Sequence, residues 1–100
     1  MPNKSLLLLT PALLLSACAT RDVDPNVLLE TEDALQLAVR AGAEDHAPLE
    51  LNEARQLAEQ ARDLAEQGDP EAADRLARRA VLQSRLAVVR AEGAVARSDL

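Results

Sequence analysis

Few side chains in this sequence can attack a bond, carry a proton or hold a metal. The chain has one thiol, Cys18, and one imidazole, His46, and beyond residue 20 Ser stands only at 84 and 98, Thr only at 31, and Lys and Tyr are missing. Nucleophilic catalysis needs a hydroxyl or thiol with a base in reach. No such pair is evident, so no catalytic residue is assigned. The carboxylates could in principle work as acid and base, but they are scattered over polar helical positions and read as solubilising charge. His46 beside Glu44, Asp45 and Glu50 is the one metal-like cluster. Zinc sites prefer two or more His or Cys ligands, so the cluster reads as a helix junction and no metal ligand is assigned. The glycines are scattered at 42, 68 and 93 and form no phosphate loop. No cofactor and no small-molecule substrate is expected.

Cys18 carries a different chemistry. Met1 to Ser5 holds one Lys, and Leu6 to Leu15 is an apolar run interrupted only by Thr10 and Pro11. Such a run is too short to cross a bilayer, which takes about 20 apolar residues, and reads as a secretory signal. Leu15-Ser16-Ala17-Cys18 then fits the bacterial lipobox, in which small residues before the scissile bond fit the peptidase and the thiol takes a diacylglyceryl group. Residues 1–17 are therefore expected to be a cleaved signal peptide, with the cut between Ala17 and Cys18. Residues 18–24 are expected to be a lipidated tether and 25–97 a helical domain. Removing the signal leaves no unmodified thiol and no disulfide. More than one acyl chain is needed for stable anchoring, and a lipoprotein N-terminus of this kind carries two or three, palmitate among them. In bacterial lipoproteins Asp after the lipidated Cys commonly retains the protein at the inner membrane. This chain has Ala19-Thr20 there, which implies the periplasmic face of the outer membrane.

Composition narrows the partners. The formal charge is −6 and no residue is aromatic, so neither the phosphate backbone nor the bases of a nucleic acid find a complement. Ala and Leu supply 20 and 19 of the 100 residues. That composition suits closely packed helices rather than a ligand-enclosing pocket.

Three helices should position this surface. Asp24-Pro25 reads as a cap followed by proline at the first helical position, and Val27, Leu28, Leu35, Ala38, Val39 and Gly42 recur at helical spacing over about 25–43. Gly42 to Pro48 breaks the pattern, with Asp45 as a candidate cap for the next helix. That second helix, about 48–67, carries Ala54, Leu57, Ala61 and Leu64 in a seven-residue register. Gly68-Asp69-Pro70 combines a left-handed stop, a cap and a helix start, which demands an antiparallel hairpin. The third helix, about 70–96, has Ala73, Ala80, Ala87 and Ala94 as its innermost row. Leu82, Leu86 and Val89 spread apolar surface further round its second half, which calls for a neighbour besides the hairpin partner. The first helix or a second copy would supply it. Charge divides as well: Asp22 to Asp69 holds thirteen acids and three Arg, a net −10, whereas Glu71 to Arg97 holds six Arg and three acids, a net +3. Pairs such as Glu71 with Arg75 and Asp74 with Arg78 are expected along the exposed flanks, each worth about 0.2–0.5 kcal/mol.

The run Ala41-Gly42-Ala43-Glu44-Asp45-His46-Ala47-Pro48-Leu49-Glu50-Leu51, then Ala54-Arg55, Gly68-Asp69 and Ala72-Ala73-x-x-Leu76-Ala77, resembles an uncharacterised family of small Ala-rich bacterial envelope lipoproteins. In longer relatives this domain of unknown function precedes an OmpA-like peptidoglycan-binding domain. The resemblance implies an all-α fold and a place in the cell envelope, with an accessory role in a peptidoglycan-associated complex as one alternative. The hairpin with its alanine spacing also resembles half of a tetratricopeptide repeat, which would make the protein a peptide-binding adaptor, although stacks of about three repeats are the rule. A covalent wall anchor like the major murein lipoprotein would need a terminal Lys, where this chain has Arg97-Ser98-Asp99-Leu100. The expectation is an all-α hairpin or small three-helix bundle, coiled-coil-like, anchored to the membrane by an N-terminal lipid. It would act as a non-enzymatic structural or interaction module that engages an envelope protein or itself.

Overall fold

The computed structural model describes residues 24–99. They form α1 (Pro25–Arg40), α2 (Ala43–His46), α3 (Pro48–Glu66) and α4 (Pro70–Ser98), with no strand among the described residues. Ala17 and Cys18 lie outside the described residues, as do the rest of the expected signal peptide and residues 18–23 of the expected tether.

Local chemistry sets the ends. Asp24 accepts from the Asn26 amide ahead of Pro25, and Asp69 accepts from the Ala72 amide ahead of Pro70, so each cap satisfies an amide that the helix start leaves free. Gly42 (φ +89°) and Gly68 (φ +84°) turn the chain in the left-handed region that a Cβ disfavours. The structure corrects two expectations. The break between the first two long helices contains a helical turn, α2, and the first helix ends at Arg40 rather than near Ala43. Asp45 does not cap α3; Ala47 occupies the cap position with extended φ and no side-chain bond. Proline excludes the preceding residue from helical geometry, so Pro48 itself draws the boundary.

The short α2 turn sends the chain back, and α1 packs on the hairpin. It runs antiparallel to α3, with Arg62 on α3 3.7 Å from Glu32, and parallel to α4, with Arg85 3.3 Å from Glu30. The fold is a three-helix bundle in which α4 touches every other helix. Its core is almost entirely alanine: Ala38, Ala43, Ala54, Ala58, Ala61, Ala73, Ala77, Ala80, Ala87 and Ala91 are buried, with Leu51 the largest apolar side chain wholly enclosed. Two heptad rows of α4 face inward, Ala73/Ala80/Ala87 and Ala77/Ser84/Ala91. Ala94, expected in the first row, is only half-buried. Small residues let the axes approach closely, and buried hydroxyls bond within their own helices: Ser84 donates to the Ala80 carbonyl at 2.8 Å.

Candidate interaction surface

The residues singled out for metal chemistry do not converge. Glu44 on α2 takes the Arg55 guanidinium at 2.9 Å, Asp45 and His46 are exposed, and Glu50 turns to α4. No group of three metal-capable side chains forms among the described residues.

Glu50 is the exception to an acidic exterior. It is 6% exposed at the start of α3, where Arg90 of α4 donates to its carboxylate. The guanidinium remains largely in solvent. This pair, with Gln83 donating to Glu53 one turn away, ties the α2 end of α3 to the second half of α4. Beside it runs a shallow groove of ≈ 570 Å³ lined by His46, Pro48, Leu49, Val89, Gly93 and Arg97 among others. Neither Glu50 as a buried acid nor this groove is marked by sequence spacing. A Glu in the first turn of a helix ordinarily reads as a dipole partner.

The larger feature is the outward face of α4. At about 100° per residue, Leu82 and Val89 stand about 180–200° round the helix from Ala80. They are 63% and 66% exposed, and Leu86 beside them is 38% exposed. The apolar excess expected of this helix is thus divided. Val81 and Val88 turn to α1, and together with Leu37 and Ala34 they line the groove that Glu30 and Arg85 close. Leu82, Leu86 and Val89 stay outside the bundle.

All six Arg of α4 are exposed and border that strip. Arg78 and Arg85 lie on the α1 side; Arg75, Arg79, Arg90 and Arg97 lie on the α3 side. Arg78 meets Asp74 at 2.9 Å as expected, Arg85 meets Glu30 and Arg90 meets Glu50. Arg75, Arg79 and Arg97 form no ion pair with another described residue. The Arg78 pKa is raised, chiefly by its hydrogen bond and charge attraction to Asp74 and further by Glu30 and Asp24 of α1. Arg78 therefore marks where the start of α1, from Asp24 to Glu30, comes alongside the strip.

No curated protein and no solved structure matches the chain. A family model does, over residues 27–100, which takes in the whole bundle from the buried Val27 of α1 onward. The chain belongs to the family described as a domain of unknown function (DUF4398).

Proposed function

We infer that this protein is a lipid-anchored envelope protein, held on the periplasmic face of the outer membrane, that works as a non-enzymatic structural or interaction module. One observation carries the anchor: Leu15-Ser16-Ala17-Cys18 directly after a charged start and an apolar run. The bundle supports the module half of the reading. Its interior is filled by alanine, its carboxylates are spread outward or spent on guanidinium partners, and it exposes apolar side chains along a helix face. Such an architecture presents a surface rather than enclosing a reaction.

The test is the mass of the mature N-terminus taken from intact envelopes. The reading expects a chain beginning at Cys18 with acyl chains attached, and loss of lipid labelling in Cys18→Ser. An N-terminus elsewhere, or labelling that survives the substitution, would sink it. Ala19→Asp is expected to move the protein to the inner membrane.

A further inference from the structure

The outward face of α4 combines three exposed apolar residues with a guanidinium border, on the helix that holds six of the nine described Arg. We propose that this face docks on an anionic phospholipid surface, so that α4 lies along the bilayer to which the chain is tethered; the proposal rests on the anchor reading above.

Charge selects this occupant. A second copy is disfavoured: two α4 faces packed antiparallel about residues 85 and 86 would set Arg85 against Arg85, Arg79 against Arg90 and Arg75 against Arg97, and a parallel pair would set each Arg against itself. Like charges at such positions repel. An anionic headgroup layer complements every one of them, while the long Arg side chains allow Leu82, Leu86 and Val89 to reach the acyl boundary between them. The acids of α1 and α3 that reach this face, Glu30 and Glu50, are taken up by Arg85 and Arg90, which leaves Arg75, Arg79 and Arg97 to meet the headgroups.

Shape and position agree with charge. The strip is the outer side of one helix, and the grooves at its margins, beside Leu82 and beside Val89, are shallow, which fits a planar layer. The chain also enters α1 next to Arg78, at the edge of the same strip. A tether over residues 18–24 spans at most about 20–25 Å, so an anchored bundle stays within reach of the bilayer with this edge nearest its anchor.

The experiment uses the natively processed full chain reconstituted in vesicles of phosphatidylcholine, with or without phosphatidylglycerol. A nitroxide is placed at Leu82→Cys, and at Gln56→Cys on the exposed side of α3 as reference. With phosphatidylglycerol, the label at position 82 is expected to lose collisions with a water-soluble relaxant and gain collisions with oxygen, while the label at 56 is unchanged. High salt should reverse the effect. Replacing Arg75, Arg79 and Arg97 together by Gln should lower the ratio of docked to free bundle on the order of a hundredfold, from about fivefold per lost charge, with helicity by circular dichroism unchanged. Equal accessibility at both labels would overturn the proposal. So would protection of position 82 that is independent of anionic lipid, the sign of a protein or a second copy on this face, or a triple variant that docks as the parent does. The acyl mass on Cys18 is read on the same sample, which keeps failure of the anchor distinct from failure of the docking.

Discussion

The Thr31 hydroxyl of α1 lies 3.3 Å from the Ala77 carbonyl of α4 while donating at 2.8 Å to the Val27 carbonyl of its own helix. A side chain of α1 thereby touches the backbone of its neighbour, which is possible because position 77 has no side chain beyond Cβ. This contact fixes the start of α1 on the hairpin.

Thr31 should accordingly tolerate loss of its hydroxyl better than gain of volume. Thr31→Val keeps the shape and forfeits a bond between groups that have other partners, with an expected destabilisation of about 1 kcal/mol or less. Thr31→Leu forces the helices apart, at a typical overpacking cost of about 1–3 kcal/mol. Urea melts of the two variants decide it; a Leu variant as stable as the Val variant would contradict the close approach.

A buried acid with a half-solvated partner gives an asymmetric pair. Arg90→Ala strands the Glu50 carboxylate among apolar neighbours, and the expected loss is about 1–3 kcal/mol. Glu50→Gln removes the buried charge but keeps an acceptor for Arg90, so its loss should be the smaller. The double variant should be more stable than the sum of the single losses implies. Additive losses would mean that the guanidinium contributes nothing to Glu50.

What could be foreseen from the sequence is what is local. Asp24-Pro25 and Gly68-Asp69-Pro70 hold cap, stop and first turn within two or three residues, and the observed helices begin at those prolines. The fold class, an all-α small bundle, follows from those signals and the alanine spacing. Long-range consequences were less visible. Whether α1 folds back depends on the α2 turn, whose residues Ala43–His46 are too few to show a period. Ala94 keeps the heptad of Ala80 and Ala87 yet is half-buried, because α4 runs on towards Ser98 past the cover of α2 and α3. Val88 and Val89 look equivalent in sequence, and only the position of α1 separates a packed side chain from an exposed one.

The three glycines should respond with opposite signs. Gly42→Ala and Gly68→Ala place a Cβ on left-handed backbone, and each is expected to lose about 1–2 kcal/mol. Gly93 is helical, and a Cβ there would sit 3.6 Å from Arg97 Nη1, an ordinary contact. Gly93→Ala should therefore stabilise by about 0.5–1 kcal/mol. Thermal melts that rank Gly93→Ala below Gly68→Ala would refute the assigned turn geometry.

Covering α4 and displaying it are separate tasks, and they can be tested apart. Val81 is buried and Val88 half-buried under α1, so deleting residues 25–40 should bare both together with Ala77 and Ala80. Apolar area returns to water at about 25 cal/mol per Å², which is expected to drive the truncated chain to self-associate at the new patch. Leu82→Ser with Val89→Ser alters side chains that are already more than half exposed. That double variant should keep the parent's stability within about 0.5 kcal/mol per site and its sedimentation behaviour. Analytical ultracentrifugation of the two variants beside the parent distinguishes them: a monodisperse truncated chain would show that α1 does not cover the core, and a double variant that unfolds would show that the outward strip is part of it.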